Sequence, residues 1–283
     1  MMTAAVARLE SRPQILPAPH PAQAAVQATP VLAARGLTLD YAGAKGRHRA
    51  VEDVSFSVAA GERLVLLGPS GCGKSSILKA LAGFLKPAAG TVEIRGKAIT
   101  GPGPDRIVVF QEFDQLLPWK SVRDNVAFPL RVARRMSLKE ARARAEAALV
   151  KVGLARALDA YPHTLSGGMK QRAAIARALA TDPDVLLMDE PFAALDALTR
   201  RTLQDDLLAL AEEQGFTLVF VTHAIDEAVL IGTRLHLLAA HPGRTLATFD
   251  TAALGLSARG TPAFEAVVRD VHDLIFADGG RHD

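Results

Sequence analysis

The glycine-rich stretch GPSGCGKS contains the residues whose types and spacing most directly indicate chemistry. It follows an apolar run typical of a buried strand and matches the P-loop spacing at every position. Gly68, Gly71 and Gly73 allow backbone conformations that turn successive N–H groups toward an anion. Lys74 supplies positive charge for the β- and γ-phosphates of a nucleotide, and Ser75 supplies a hydroxyl ligand for Mg²⁺. We therefore predict a nucleotide site here, the alternative being a plain glycine-rich turn.

The predicted nucleotide set continues from the loop into the helix that follows it. It comprises Gly68, Pro69, Ser70, Gly71, Cys72, Gly73, Lys74, Ser75 and Ser76. Cys72 is interpreted as a small residue that fills space in the loop, because no base that could activate it as a nucleophile is evident. As the single cysteine, it also excludes an internal disulfide framework and fits a reducing compartment.

Two adjacent carboxylates end the apolar run VLLM and form a second candidate site. At the carboxyl end of a parallel strand, where α/β sheets bind ligands, Asp189 would hold Mg²⁺ through water. Glu190 would then act as the general base that polarises the water attacking the γ-phosphate. An acidic pair after a strand is by itself usually the start of a loop. Its combination with a P-loop favours the catalytic interpretation.

The stretch LSGGMKQR forms a second anion-binding candidate about ninety residues beyond the first. Ser166 is a natural N-cap with two glycines beside it, and the amphipathic helix that follows supplies open backbone amides. As an isolated tetrapeptide this would be only a helix cap. One nucleotide already has a phosphate cradle within its own subunit. We therefore interpret this loop as a site for the γ-phosphate held by another copy of the domain.

The elements that must position these residues alternate between strands and helices. LTLDY and VEDVSFSV have the period-two pattern of half-buried strands, whereas RLVLLG, DVLLMDE and FTLVFVTH are continuous apolar strands. TVEIRG and RIVVFQ are further strands, and a helix is predicted from Gly73 to about Leu85. LDALTRRTLQDDLLALAEEQ and AIDEAVLIG are helices. This alternation predicts an α/β core with a largely parallel sheet.

Two parts of the chain depart from that alternation. Residues 121–168 are predicted to be a helical insertion, in which SLKE at Ser137 forms a capping box. RLHLLAAHPGRTLATF is predicted to be a hairpin that turns at HPGR, and a last helix runs from about Thr261 to Phe276. The Pro- and Ala-rich residues 1–30 have the composition of a disordered leader and lack the apolar stretch of a secretory signal.

Composition limits the classes of partner. The chain has 283 residues with 33 Lys+Arg and 30 Asp+Glu, a formal net charge of +3. These charges are dispersed, so no basic cluster predicts nucleic-acid binding. No run of roughly 18 or more apolar residues predicts a membrane span.

The three motifs GPSGCGKS, LSGGMKQR and VLLMDEPFAALD, in this order, resemble the nucleotide-binding subunit of ABC transporters. The resemblance covers residues 31–249, and LSGG separates this family from other P-loop ATPases. It implies an α/β fold with a RecA-like core, an antiparallel β subdomain and a helical subdomain at about 121–168. It also implies ATP and Mg²⁺ as cofactors and a homodimer of ATPase subunits. Residues 250–283 would be a C-terminal helical extension.

The resemblance assigns further roles residue by residue. Gln111 matches the glutamine that links the nucleotide and its metal to the membrane partner, and Asp196 matches the loop that communicates across the dimer. His223 matches the switch histidine, and Tyr41 the aromatic that stacks on adenine; the alternatives are a structural histidine and an edge-strand tyrosine. The implied groups are catalytic Glu190, His223 and Gln111; metal-binding Ser75, Gln111 and Asp189; and, for the partner's nucleotide, Leu165, Ser166, Gly167, Gly168 and Met169. Met169 departs from the glutamine of many members, without removing a phosphate donor.

The segment QEFDQLLPWKSVRDNVAFPL resembles ATPase subunits of bacterial importers for nitrate, sulfonates and taurine. By this resemblance Trp119 lies at the surface that meets the membrane subunits, the alternative being a core tryptophan. The resemblance implies separate permease subunits, an external solute-binding protein and a location on the cytoplasmic face of the inner membrane. Alternative functions are a soluble ABC ATPase of DNA repair or translation and an exporter ATPase. The solute is not encoded in an ATPase subunit.

Overall fold

The structure, a computed structural model, describes residues 15–16, 29–43, 46–111 and 115–279. Its strands are β1 Ile15–Leu16, β2 Leu32–Gly43, β3 Gly46–Val58, β4 Arg63–Leu67, β5 Ala89–Ile94, β6 Lys97–Ala98, β7 Arg106–Val109, β8 Val185–Asp189, β9 Leu218–Thr222, β10 Arg234–Ala239 and β11 Arg244–Asp250. Its helices are α1 Lys74–Leu81, α2 Val122–Val132, α3 Leu138–Lys151, α4 Gly167–Ala180, α5 Ala197–Gln214, α6 Ile225–Ile231 and α7 Pro262–Gly279.

The larger of two sheets contains seven strands in the order β1-β11-β10-β4-β9-β8-β7. The five strands from β10 to β7 are parallel, which confirms the predicted α/β class. β4, β8 and β9 are buried almost throughout, because helices cover both faces of a parallel sheet. The strands therefore consist of uninterrupted apolar residues, and their carboxyl ends share one edge.

The smaller sheet is antiparallel, with the order β3-β2-β5-β6. Along β3 the buried residues alternate with exposed ones, as expected for a sheet with one face on the core. Val51, Val54 and Leu39 from this sheet pack with Leu64 of β4 and Ile77 of α1 in one buried cluster. This cluster joins the antiparallel sheet to the strand and helix that flank the GPSGCGKS loop.

Three helices form a third buried cluster beside the large sheet. α2 and α3 pack on α4 through apolar side chains that include Val126, Leu130, Ala145 and Leu149. The capping box predicted at Ser137 is confirmed, because its side chain accepts from the backbone of Glu140 while the glutamate bonds back to the cap. α4, which begins within LSGG, is thus held by both the helical cluster and α5.

The predicted helix limits differ from the observed ones. α1 ends at Leu81 rather than near Leu85, because Gly83 adopts a left-handed conformation (φ 81°) that terminates the helical path. The last helix runs over Pro262–Gly279, three residues past the predicted end. The hairpin predicted at HPGR is confirmed as β10 and β11.

Most of the leader predicted at residues 1–30 lies outside the described residues. Of its described residues, Ile15–Leu16 pair antiparallel with β11 at the edge of the large sheet. Within the described ranges, no helix combines the length and apolar composition that a membrane span requires.

Candidate active site

The GPSGCGKS loop connects β4 to α1 and depends on glycine at two packed positions. Gly73 has a φ of 91°, and a Cβ there would lie 2.4 Å from Val51 Cγ2 and 2.9 Å from the carbonyl oxygen of Ala50. A Cβ on Gly68 would lie 2.5 Å from the carbonyl oxygen of Leu238. Contacts below 3 Å with backbone atoms leave no room for a side chain. The loop therefore packs tightly against both sheets.

Lys74 is the buried cation of this loop. Its Nζ donates hydrogen bonds to the carbonyl oxygens of Gly68 and Pro69 at 2.8 and 2.9 Å. The ammonium group thus spans the loop, in position to donate to a phosphate. Cys72 lies fully buried with its Sγ 3.8 Å from Nζ, and burial raises the pKa of its thiol. A protonated, enclosed thiol agrees with the space-filling interpretation.

The first acidic residue of VLLMDE meets the P-loop directly. Ser75 Oγ donates to Asp189 Oδ1 at 3.0 Å. Burial raises the pKa of Asp189, and the hydrogen bond from Ser75 opposes that rise. A hydroxyl and a carboxylate this close are oxygen donors of the kind Mg²⁺ prefers, and Mg²⁺ takes its remaining ligands from phosphate and water. These two residues therefore fit the predicted ion.

The second acidic residue pairs with the strand-end histidine. Glu190 Oε2 lies 3.0 Å from His223 Nδ1, and the histidine side chain is 57% exposed while that of the glutamate is 22% exposed. β8 and β9 are parallel neighbours, with Asp189 opposite Val221, so both side chains leave the same edge. Glu190 adopts a positive φ of 44° and its N–H donates to the Val221 carbonyl at 3.0 Å. This turn conformation aims the carboxylate at the cleft.

A cleft of about 380 Å³ unites the loop with residues from other elements. The lining residues are Tyr41, His48, Ala50, Ser70, Gly71, Gly73, Lys74, Ser75, Ser76 and Glu190. The Tyr41 hydroxyl donates to Ser76 Oγ at 3.0 Å, and the ring is partly exposed. His48, which the sequence analysis missed, is the cross-strand partner of Tyr41 in the β2–β3 pair. Sequence could have indicated His48 only through the register of the β2–β3 pair, which places it opposite Tyr41.

The LSGG loop stands apart from this cleft. Ser166 caps α4 by accepting from the backbone N–H of Met169 at 3.3 Å, and its side chain remains exposed. Gly168 packs on α5, where a Cβ would lie 2.7 Å from Thr199 Cγ2. Of the residues that line the cleft within the described ranges, none belongs to 165–169. Leu165 is buried and fastens the loop to the helical cluster.

Neither Gln111 nor Asp196 lines this cleft. Gln111 is exposed just beyond β7, and its predicted contact with the metal stays a prediction. Gln115 braces the same segment. Its side-chain amide hydrogen-bonds to the backbone N–H and carbonyl of Phe110, and its backbone carbonyl accepts from Arg177 at 2.6 Å. Asp196 caps α5 by accepting from Thr199 N at 3.0 Å, which lowers its pKa.

Trp119 lies on the surface with 71% of its area exposed, so the core alternative is wrong. The loop that carries it is fixed by the buried Asn125, whose side chain accepts from Leu117 N at 2.7 Å and donates to Lys120 O at 3.0 Å. Lys120 Nζ lies 5.2 Å above the ring of Phe128, which is also exposed. A rigid loop thus presents aromatic side chains to the outside.

A second cavity, of about 520 Å³, shares Glu190 with the first and is also lined by His223. Its other walls come from α5, α6 and the segment after β11, including Arg200, Gln204, Glu227, Arg259 and Phe264. Arg200 donates to the carbonyl oxygens of Phe192 and Leu195 at 3.2 and 2.8 Å, which braces the loop before Asp196. Sequence analysis missed these polar residues, although Arg200 and Gln204 have the i, i+4 spacing of one helix face.

Known proteins show the same combination of sequence and fold. The family described as ABC transporter matches residues 51–193. The taurine import ATP-binding protein TauB of Rhizobium johnstonii is 49% identical over 201 residues, covering 71% of this chain and 76% of that protein. The nitrate import ATP-binding protein NrtD of Synechococcus elongatus is 47% identical over 203 residues, covering 71% and 74%.

A solved structure extends the similarity to three dimensions. It is a dimeric post-hydrolysis state of an ATP-binding cassette bound to ADP and Pi, 34% identical with a TM-score of 0.66, and it covers 76% of this chain and 98% of that one. A family match over half of the sequence, relatives nearly half identical and a shared fold lead to one conclusion. The chain belongs to the ABC transporter family, as an ATP-binding cassette with ATPase chemistry.

Proposed function

We propose that the chain hydrolyses ATP to power a bacterial importer for a small anionic or zwitterionic solute of the taurine, sulfonate or nitrate type. The observation that carries the ATPase proposal is a single cleft in which the P-loop meets Glu190, with the Ser75–Asp189 pair beside it. The import ATP-binding names of the relatives support the importer assignment. The subunit would act on the cytoplasmic face of the inner membrane with separate permease subunits. An external solute-binding protein would deliver the solute.

In this proposal ATP lies along the cleft with its base against Tyr41 and its phosphates over the amides of residues 68–76. Lys74 Nζ, now bonded to two loop carbonyls, donates to the β- and γ-phosphates. Ser75 and Asp189, with Gln111, would hold Mg²⁺. The ion would neutralise charge that develops on the transferred phosphoryl group.

Hydrolysis is assigned to the acid–histidine pair at the strand ends. Water attacks the γ-phosphorus, a new P–O bond forms and the bond to the bridging oxygen of ADP breaks. Glu190 accepts the proton of the attacking water as general base. His223, which lies 3.0 Å from that carboxylate, orients it and contacts the γ-phosphate.

The second phosphate loop completes the site in a homodimer. Ser166 and the amides of residues 167–169 would contact the γ-phosphate bound by the partner, because Ser166 is exposed and no described residue of this loop lines its own subunit's cleft. Asp196 lies in the loop that would report closure to the other subunit. The dimeric state of the related ADP-bound cassette supports this arrangement.

The proposed division of labour follows the three clusters of the fold. Residues 31–249 form the ATPase domain, with a helical subdomain at about 121–168 and a C-terminal extension at 250–283. The exposed Trp119 and its rigid loop form the proposed permease contact. Nucleotide-driven closure would move the docked permease helices.

The proposal is tested with purified protein and with a deletion strain. Purified protein should hydrolyse ATP in a Mg²⁺-dependent reaction whose rate per subunit rises with protein concentration. Cells lacking the gene should lose high-affinity uptake of labelled taurine, an alkanesulfonate or nitrate, and the wild-type gene should restore it where Lys74→Ala does not. Absence of ATPase activity at every concentration, or uptake of all three solutes at wild-type rates, would overturn the proposal.

A further inference from the structure

Glu227 is a buried carboxyl group beside the proposed catalytic pair, and the hydrolysis scheme above does not use it. It lies on α6 with 7% of its surface exposed. Gln204 Nε2 donates to its Oε1 at 2.9 Å, and the Thr222 hydroxyl is close enough to lower its pKa. Burial raises the pKa of this carboxyl, while those two groups oppose the rise. Leaving a buried carboxyl group without hydrogen-bond partners costs free energy. We therefore expect the side chains of Glu227, Gln204 and Thr222 to hold one another in place.

The Thr222 hydroxyl connects this group to the backbone on both sides of His223. It accepts a hydrogen bond from the N–H of Ala224 at 3.0 Å and lowers the pKa of the Glu227 carboxyl on its other side. The residues before and after His223 are thereby tied to one buried carboxyl group. The position of the imidazole that contacts Glu190 depends on that turn.

Gln204 extends the chain of contacts to the segment after β11. Its Oε1 accepts from Arg259 Nη2 at 3.4 Å, and the same nitrogen lies 3.0 Å from Asp205 Oδ1 in an ion pair. An amide placed between a carboxylate and a guanidinium is oriented by both, because its N–H faces the acid and its carbonyl faces the cation. Arg259, Gln204, Glu227 and His223 all line the same cavity of about 520 Å³.

We propose that Glu227 is a positioning residue for ATP hydrolysis, and that the C-terminal segment adjusts it through Arg259 and Gln204. This inference rests on the proposed ATPase function. Loss of the Glu227 carboxyl frees the turn that carries His223 and leaves two buried donors unpaired. Nucleotide binding is unaffected, because neither Gln204 nor Glu227 lines the P-loop cleft. The effect is therefore on the chemical step.

The test compares steady-state ATPase kinetics of wild type, Glu227→Ala and Glu227→Gln. Glu227→Ala should lower kcat by about 10- to 100-fold, the scale of a small misplacement of a catalytic group, with KM for ATP unchanged. Glu227→Gln should recover part of that loss, because its carbonyl oxygen still accepts from Thr222 or Gln204. A smaller folded fraction would also lower kcat at constant KM, so kcat is expressed per ATP-binding site counted by titration. A residue that merely stabilised the fold would leave this value unchanged.

The proposed role of the C-terminal segment is tested with a second pair of variants, one at Arg259 and one control. Arg259→Ala should lower kcat by about two- to fivefold, as expected for a partly exposed ion pair and a long hydrogen bond. Arg269→Ala removes another arginine of the same segment, exposed on α7, and should leave kcat unchanged. In the Gln204→Ala background, Arg259→Ala should have no additional effect, because both act through one contact chain.

Each outcome decides between the proposals. Full kcat in Glu227→Ala, or a rise in KM that accounts for the whole loss, overturns the positioning role while the wild-type activity preserves the ATPase assignment. An inactive wild type contradicts the ATPase assignment instead. If Glu227→Ala does not fold, Thr222→Val removes the hydroxyl with little change of shape, and it must then show the same fall in kcat at constant KM. Equal kcat values for Arg259→Ala and Arg269→Ala overturn the proposed role of the C-terminal segment.

Discussion

Two side-chain pairs, each with atoms 3.0 Å apart, concentrate the proposed chemistry at the ends of β8 and β9. Ser75 and Asp189 offer oxygen ligands, whereas Glu190 and His223 offer a base and the group that orients it. The acidic members of the two pairs, Asp189 and Glu190, are adjacent in the chain at the end of β8, so a small turn separates metal binding from proton transfer. The positive φ of Glu190 makes that separation possible.

Glu190→Gln should retain ATP binding and lose hydrolysis. The amide is nearly isosteric and can still contact His223, but it cannot accept the proton of the attacking water. We expect turnover to fall by roughly 10²–10⁴-fold, the usual contribution of a general base, and an ATP-bound dimer to accumulate. The measurements are phosphate release and size-exclusion chromatography with ATP. Glu146→Gln, on the exposed face of α3, serves as the control, and near-normal turnover of the Glu190 variant would refute the assignment.

Lys74→Ala should weaken nucleotide binding itself. The lysine is buried within the loop and would contribute charged hydrogen bonds to phosphate worth about 1.5–3 kcal/mol each. The affinity for ATP, measured by titration calorimetry, should therefore fall by tenfold or more. Lys86→Ala removes an exposed lysine just after α1 and should bind like wild type. An unchanged affinity in Lys74→Ala would contradict the predicted phosphate contact.

At the scale of elements, the hairpin β10–β11 closes the large sheet and also supports the P-loop. A Cβ on Gly68 would lie only 2.5 Å from the carbonyl oxygen of Leu238 on β10, and the backbone N–H of the turn residue Gly243 donates to the Ala50 carbonyl at 2.9 Å. The loop's shape therefore depends on a hairpin far away in sequence. A variant that destabilises the hairpin should therefore also disturb the conformation of the P-loop that lines the nucleotide cleft.

The hairpin contains a buried histidine that should make stability depend on pH. His236 lies on β10 with its Nε2 3.0 Å from the Thr245 hydroxyl, and burial together with the nearby Arg234 lowers its pKa to about 4. An unfolded histidine titrates near 6.5, so between these values the unfolded chain binds more protons than the folded chain. Folding stability is therefore lost as the pH falls from about 6.5 toward 4.

We expect this histidine to contribute about 2 kcal/mol to the decrease in the free energy of unfolding between pH 7 and pH 5. Urea unfolding at the two pH values measures it. His236→Gln, which cannot titrate, should reduce the decrease by that amount, although it lowers stability at pH 7. His272→Gln changes a largely exposed histidine of α7 and should behave like wild type. Identical pH dependence in both variants would refute the prediction.

At the scale of the whole molecule, the two phosphate loops of one subunit serve different nucleotides in the proposed dimer. The P-loop packs against both sheets and lines the nucleotide cleft, whereas Ser166 stands exposed at the start of α4, outside that cleft. Since ADP has no γ-phosphate, the exposed loop favours the closed pair only when ATP is bound. Closure and hydrolysis are thereby linked.

A heterodimer of two inactive variants should recover activity. Ser166→Arg adds bulk to one half of the shared site, and Lys74→Ala damages the other half. Each homodimer then has two defective sites, whereas the heterodimer combines both lesions in one site and leaves the other intact. Mixing the purified variants should restore ATP hydrolysis that neither shows alone. Full activity of Ser166→Arg as an isolated monomer would show that the loop has another role.

Local sequence determined the phosphate-binding parts of this protein. A strand, a glycine-rich loop and a helix are contiguous in the chain, so the conformations at Gly71 and Gly73 could be predicted from residue type and spacing. The capping box at Ser137 and the hairpin at HPGR were predictable for the same reason. The continuous apolar strands also indicated a parallel sheet before its order was known.

Tertiary structure alone decided which distant residues meet. Glu190 and His223 are 33 residues apart, and Ser75 and Asp189 are 114 apart, so their contacts depend on the strand order β4-β9-β8. Strand order is set by packing of the helices on both faces, which residue spacing along the chain does not reveal. The choice between a surface and a core position for Trp119, and the burial of Glu227, were likewise decided only in the folded structure, because burial is a property of the folded surface.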